Sequence, residues 1–130
     1  MFYYFIINPS SSSGKHKTLW REIREQLEKE EINYKIAATK KTGDAKRLAR
    51  EASLHVSETN PCTIVAIGGD GTVNEVVNGL ILSPFLSFGY IPTGSGNDLA
   101  RGLGLSKEPL EALAFILHPK EKKAVRIGKI

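Results

Sequence analysis

The sequence predicts an α/β domain: a three-layer structure in which a parallel sheet lies between helices on both faces. Short apolar segments alternate with longer amphipathic segments along nearly all of the 130 residues. The connections between them are short, which is typical of strand–helix–strand units and therefore of parallel strands. Each Gly-rich or polar cluster also follows a predicted strand directly. The length fits a single domain.

The elements follow from the spacing of apolar residues. Phe2–Ile7 is continuously apolar and predicts a first strand. Lys17–Glu30 predicts a helix, because Leu19, Ile23 and Leu27 recur on one face. The remaining predicted strands are Tyr34–Ala38, Thr63–Ile67, Phe85–Ile91 and Ala124–Ile130, and the remaining helices are Asp44–Val56, Val73–Leu82, Asn97–Gly102 and Pro109–Leu117.

Two predicted helices carry candidate caps. Thr72 precedes the helix predicted at Val73, and Glu75 stands three residues further on, so the pair predicts a capping box. Asp44 is more typical of a helix cap than of a ligand.

Composition narrows the function classes only in part. The net charge of +4 suits nucleotide phosphates, nucleic acid or an anionic membrane surface. Basic residues are mixed with acidic ones and do not alternate with aromatic ones, which disfavours nucleic acid. No apolar run approaches the roughly 20 residues of a membrane span, and no signal-peptide pattern is present, which predicts a cytoplasmic protein. Cys62, the single cysteine, is interpreted as a core residue.

Four loops are predicted to meet at one edge of the sheet. Ligands of parallel α/β sheets bind at the carboxyl ends of the strands. The polar or Gly-rich clusters at these ends are Asn8–Gly14, Thr39–Asp44, Gly68–Thr72 and Thr93–Asp98. Together they predict a single site assembled from distant parts of the chain.

The Gly68–Thr72 segment is the centre of this predicted site. Its glycines allow a tight turn and a close approach of the backbone to a ligand. Backbone N–H groups and the positive end of the next helix suit phosphate. Asp70 would repel phosphate unless it holds Mg²⁺, which prefers carboxylates and retained waters. The alternative is a Gly-rich turn in which Asp70 is a turn residue.

The same segment resembles the GGDGT signature shared by diacylglycerol kinases, sphingosine kinases and NAD kinases. The continuation Val73–Gly79 resembles the lipid kinase branch. Ile91–Arg101 is similar to the P-x-G-T-x-N-D-x-A-R element of diacylglycerol kinase and bacterial lipid kinase catalytic domains. The chain is therefore identified as a member of this family, and it resembles the N-terminal nucleotide-binding domain.

The resemblance implies phosphorylation of a lipid hydroxyl, on diacylglycerol or a related lipid, with ATP and Mg²⁺. Residues 1–130 would supply the nucleotide-binding half, and a second, mainly β domain that the chain lacks would close the cleft. The isolated chain is expected to be inactive. The implied partners are a nucleotide and a lipid substrate at the membrane surface, which allows peripheral binding at the inner membrane face; a homodimer is left open.

Site residues carry over by position. Asp70 is the expected catalytic residue, and Asp70 with Asp98 is expected to hold Mg²⁺, although Asp98 equally suits a helix N-cap. The expected nucleotide-binding residues are Asn8, Pro9, Ser12, Gly14, Thr39, Gly68, Gly69, Asp70, Gly71, Thr72, Val73, Asn74, Thr93, Gly94, Ser95, Gly96 and Asn97.

The sequence departs from the family pattern at two positions. Ser12 stands where the first Gly of the N-P loop is expected, although Gly14 matches. Arg126 stands where the family has Asp in a V-D-[LI]-G pattern. Two alternatives stay open: a NAD kinase, which the segment Pro92–Arg101 opposes, and a non-catalytic nucleotide-binding or regulatory module, which Arg126 favours.

Overall fold

The structure, a computed structural model, describes residues 1–9, 16–93 and 108–119 of the chain. Its four strands are parallel and lie in the order β2-β1-β3-β4. The strands are β1 (Phe2–Ile7), β2 (Tyr34–Ala38), β3 (Cys62–Gly68) and β4 (Leu86–Pro92), and the helices are α1 (His16–Lys29), α2 (Asp44–Ser53), α3 (Asp70–Gly79) and α4 (Pro109–Leu117). The predicted three-layer α/β fold is confirmed.

Each face of the sheet has its own core. Alternate strand residues such as Ile64 and Phe88 pack with α2 and α3 on one face. Val65 and Ile67 point to the other face, where they pack with α1 and α4. All of β3 is buried because it has strands on both sides and helices on both faces. Cys62 belongs to this core as predicted, and burial raises the pKa of its thiol to about 11.

The order of the strands places a crevice at the carboxyl edge of the sheet. The chain leaves β1 for β2 on one side, whereas β3 lies on the other side of β1 and continues to β4. Loops that leave β1 and β3 therefore separate in opposite directions. This is the arrangement in which open α/β sheets bind ligands. The crevice lies where Ile7 and Ile67 pair, at the ends of β1 and β3.

Helix α3 begins earlier than the sequence predicted. Asp70 is its first residue and Gly69 its N-cap, so the prediction of a helix from Val73 was wrong by three positions. The predicted capping box was also wrong, because Thr72 lies inside the first turn and no side chain caps this helix. The last three of the five residues of the Gly-rich segment are thus helical, and the N-terminus of α3 lies at the crevice.

Some predictions fall outside the described residues. These are the short helix Asn97–Gly102, the strand Ala124–Ile130 and the residues Ser12, Gly14, Gly94, Ser95, Gly96, Asn97, Asp98 and Arg126. Within the described ranges, no helix has both the length and the apolar character needed to cross a membrane.

Candidate functional site

Backbone hydrogen bonds place the described parts of all four loops side by side along the carboxyl edge of the sheet. Asn8 donates its N–H to the end of β3 (3.1 Å), and Thr39 donates its own to the end of β1 (2.9 Å). Thr93 donates to the carbonyl of Gly68 (3.1 Å). The prediction that these loops meet at one edge therefore holds for every part of them that the structure describes.

The glycines of the central segment have different surroundings. A Cβ at Gly68 would lie 2.9 Å from Cβ and Oγ1 of Thr72, so only glycine fits there. A Cβ at Gly69 or Gly71 would meet no atom within 4 Å. Packing therefore requires the first glycine, whereas the other two leave open space beside the N-terminus of α3.

Thr72 connects this segment to β1. Its side chain is buried, and its Oγ1 accepts a hydrogen bond from Nδ2 of Asn8 at 3.3 Å. The hydroxyl also lies against Gly68. Thr72 thus holds the ends of β1 and β3 and the first turn of α3 in a fixed relation, a role that the sequence did not reveal.

Asp70 is exposed at the start of α3. The positive end of the helix favours a carboxylate in this position. Among the described residues, no group of three or more acidic, histidine or cysteine side chains surrounds a common point. A single exposed carboxylate such as that of Asp70 is compatible with Mg²⁺, which protein sites commonly bind through one or two carboxylates together with waters and substrate phosphates.

A cleft of about 430 Å³ opens beside these residues. It is lined by Asn8, Thr39, Lys40, Lys41, Thr42, Ala45, Gly71, Thr72 and Glu75. Lys40 and Lys41 were not among the predicted site residues. The signal that would have identified them is a pair of cations directly after a strand, at the edge where the other loops meet.

The loop from Thr39 to Gly43 is held by Asp44. Oδ2 of Asp44 accepts the backbone N–H of Lys40 at 2.9 Å and that of Lys41 at 3.1 Å. These bonds hold the pKa of the Asp44 carboxyl below its ordinary value, and the bond from Lys40 has the largest effect. The prediction of Asp44 as a cap was wrong, because the N-cap of α2 is Gly43 and the Asp44 side chain bonds backwards to the loop.

The same loop is also tied to α3. Oε1 of Glu75 accepts the backbone N–H of Gly43 at 3.0 Å. Gly43 has a φ of 96°, a left-handed conformation that glycine adopts at little cost. Glu75 therefore bonds across the cleft to another loop, which explains why it does not form a capping box with Thr72. The loop from Thr39 to Gly43, which forms one wall of the cleft, is therefore fixed to α3, which forms the other wall.

The remaining predicted site residues differ in exposure. Pro9 and Asn74 are exposed, and Thr93 is partly buried at the end of β4. The side chain of Val73 is fully buried in the core, and its N–H bonds to the carbonyl of Gly69. The structure therefore turns Val73 away from the cleft, although its backbone lies beside the Gly-rich segment.

Tyr90 was also missed by the sequence analysis. It lies on β4, and its hydroxyl donates a buried hydrogen bond of 3.2 Å to the carbonyl of Gly68. Burial raises the pKa of this hydroxyl, and the negative charge of Asp70 raises it further by a smaller amount. Its position inside an apolar strand gives no signal in the sequence.

The chain matches the sequence model of the diacylglycerol kinase catalytic domain over residues 3–130. It belongs to the diacylglycerol kinase catalytic domain family. The diacylglycerol kinase of Bacillus subtilis (strain 168) is 35% identical over 126 residues, which are 96% of this chain and 40% of that protein. The diacylglycerol kinase of Staphylococcus carnosus (strain TM300) is 38% identical over 126 residues, again 96% of this chain and 40% of that protein.

Solved structures agree with this membership. The crystal structure of a diacylglycerol kinase from Bacillus anthracis str. Sterne superposes with a TM-score of 0.74 and 31% identity. The match covers 91% of this chain and 42% of that one. The chain thus spans well under half the length of these relatives. The fold of the chain is that of the matching part of a diacylglycerol kinase.

Proposed function

We propose that the protein containing this chain phosphorylates a lipid hydroxyl with ATP and Mg²⁺, and that this chain supplies the nucleotide-binding half. The observation that carries the proposal is the convergence at one sheet edge of the Gly-rich turn, the exposed Asp70 and the lysine-lined cleft. Membership of the diacylglycerol kinase catalytic domain family supports a lipid as the acceptor.

The described residues account for phosphate binding in this proposal. The positive N-terminal end of α3 suits phosphate oxygens. Gly69 and Gly71 leave room for those oxygens to approach the backbone. Lys40 and Lys41 add positive charge at the cleft, and Thr39 and Asn8 contribute polar groups.

Asp70 would hold Mg²⁺, with Asp98 as the second proposed ligand. When bound, the ion neutralises charge on the phosphates during transfer. In the reaction the lipid oxygen forms a bond to the γ-phosphorus, the bond to the β–γ bridging oxygen breaks, and ADP leaves. We propose that the base that takes the hydroxyl proton comes from a second domain, which the resemblance to the family implies and which would also help exclude water. The isolated chain is therefore proposed to bind nucleotide weakly and to transfer no phosphoryl group.

A lipid panel tests the proposal directly. The intact protein is incubated with γ-labelled ATP, Mg²⁺ and mixed micelles that contain diacylglycerol, monoacylglycerol, ceramide or sphingosine. NAD in place of lipid serves as the comparison. We expect label in one lipid and none in NAD. Labelled NADP, or label in neither class, would contradict the proposal.

A second candidate function is a nucleotide-binding or regulatory module without catalysis. It is favoured by Arg126 in Val125-Arg126-Ile127-Gly128, because a guanidinium cannot coordinate a cation. The two candidates separate in the same experiment. Tight nucleotide binding with no labelled product from any lipid selects the module. The cytoplasmic location, the peripheral contact with the inner membrane face and the homodimer remain predictions that these assays do not address.

A further inference from the structure

The carbonyl of Gly68 accepts two hydrogen bonds from the side of β4. The N–H of Thr93 lies 3.1 Å from it, and the hydroxyl of Tyr90 lies 3.2 Å from it. A carbonyl oxygen has two lone pairs, so both are in use. Tyr90 is 3% exposed, and burial raises the pKa of its hydroxyl, which therefore remains a donor throughout the physiological pH range.

These two bonds fix the direction of the next N–H. The described backbone contains no cis peptide bond, so the C=O of Gly68 and the N–H of Gly69 point in opposite directions. The C=O points towards β4, and the N–H therefore points to the side of β1, where Asn8 lies. This is the side of the crevice.

The same peptide is also restrained from its other side. Thr72 fills the space where a Cβ of Gly68 would lie, at 2.9 Å. Thr72 is in turn held by the hydrogen bond from Asn8. Movement of the Gly68–Gly69 peptide is thus opposed by packing from α3 and by hydrogen bonds from β4.

We propose that Tyr90 is a positioning residue: its hydroxyl orients the Gly68–Gly69 peptide so that the N–H of Gly69 is presented to a phosphate oxygen. This inference rests on the proposed nucleotide-binding function. Hydrogen bonds weaken steeply as the donor turns away from the acceptor, so the orientation of this peptide sets phosphate affinity. Tyr90 itself does not touch the ligand.

The competing explanation is that Tyr90 is a core residue whose hydroxyl merely finds a partner, as buried hydroxyls usually do. Tyr4 provides a matched control. It is a buried tyrosine in the same core, and burial raises the pKa of its hydroxyl as well. It pairs with Ile64, four residues before Gly68, which is about 13 Å along the strand.

The experiment compares Tyr90→Phe with Tyr4→Phe in the intact protein. Hydrogen–deuterium exchange without ligand is measured on peptides that cover residues 66–74 and Thr93. We expect faster exchange there in Tyr90→Phe only. Binding of Mg-ATP and steady-state kinetics are then measured. We expect about a fivefold to tenfold rise in Kd and in KM for ATP, with kcat unchanged, in Tyr90→Phe but not in Tyr4→Phe.

Equal exchange in the two variants would overturn the positioning role. Equal Kd for Mg-ATP in the two variants would overturn its consequence for phosphate binding, even if both lower the unfolding temperature. A wild-type protein that binds no nucleotide would instead refute the proposed function. The exchange measurement needs no ligand, so it still decides whether Tyr90 orients the peptide.

Discussion

The two edges of the sheet differ sharply in character although the same four strands end in both. At the carboxyl edge the strands are followed by Asn8, Thr39, Gly69 and Thr93, which are polar or lack a side chain. At the amino edge the residues that precede β1 and β4 include exposed apolar side chains: Met1 is 58% exposed, Leu82 52% and Phe85 38%. The strands between the edges are almost uniformly apolar. The fold thus constrains the strand interiors and leaves the two edges free to differ.

The difference follows from the direction of the helices. In parallel strand–helix units, helices begin at the carboxyl edge and end at the amino edge. Asp44 and Asp70 begin α2 and α3 at the carboxyl edge, where the positive ends of the helix dipoles favour anions. The amino edge receives the helix C-termini, whose negative dipole ends disfavour phosphate. The comparison predicts that substitutions at the carboxyl edge affect nucleotide binding and that substitutions at the amino edge do not.

The largest effect is expected for Asp70→Ala. Loss of the proposed Mg²⁺ ligand should lower kcat of the intact protein about a hundredfold or more. The fold should survive, because Asp70 is exposed. Circular dichroism and thermal unfolding check the fold, and lipid phosphorylation checks the rate. Glu58→Ala is the control, since Glu58 is an exposed carboxylate in the turn before β3 at the amino edge. Wild-type turnover in Asp70→Ala would show that Asp70 is not a ligand of the metal.

The glycines provide the next test. Gly68→Ala should destabilise the protein by about 1–3 kcal/mol, because its Cβ would overlap Thr72. Gly71→Ala should raise the free energy of unfolding by about 0.5–1 kcal/mol, because alanine is the better residue inside a helix. Its methyl group should nevertheless weaken nucleotide binding, since Gly71 lines the cleft. Denaturant unfolding and titration with Mg-ATP separate the two effects. If Gly71→Ala binds nucleotide as well as the wild type, the ligand does not approach this face of α3.

A smaller effect is expected at Glu75. Glu75→Ala removes the bond to Gly43 and should raise KM for ATP about twofold to tenfold, with little change in kcat. Glu75→Gln keeps an acceptor oxygen and should behave nearly as the wild type. Asn78→Ala, an exposed change one turn further along the same helix, is the control. A KM in Glu75→Ala that matches the control would show that the loop needs no support from α3.

The smallest effect concerns pH and Asp44. Hydrogen bonds from Lys40 and then Lys41 hold the folded-state pKa of Asp44 below its ordinary value of 3.8. The carboxylate therefore stabilises the fold above that value, and its contribution is lost as pH falls through the lowered pKa. The difference in unfolding temperature between wild type and Asp44→Asn should be full at neutral pH and should shrink below about pH 4. A difference that is independent of pH would mean that the charge of Asp44 does not support the loop.

Much of the site was predictable because strand ends are easy to locate. The apolar strand Cys62–Gly68 stops at Gly69-Asp70, so the placement of Asp70 at the carboxyl edge followed from the pattern. The start of α3 was misplaced by three residues, because glycines suggest a loop even when they occupy a first helical turn. The roles of Glu75 and Asp44 were misassigned for a related reason. Both are residue types that commonly cap helices. Their carboxylates instead accept hydrogen bonds from backbone N–H groups of the loop before α2.

The sequence by itself determined the parallel α/β fold, the edge at which the loops meet and the family, because these depend on local periodicity and on contiguous motifs. The tertiary structure alone decided that Tyr90 bonds to Gly68, that Glu75 bonds to Gly43 and that Asn8 bonds to Thr72. These partners are 22, 32 and 64 residues apart. Hydrogen bonds over such separations form only when the packing of the sheet and helices brings the groups together, and no local pattern of residues records that geometry.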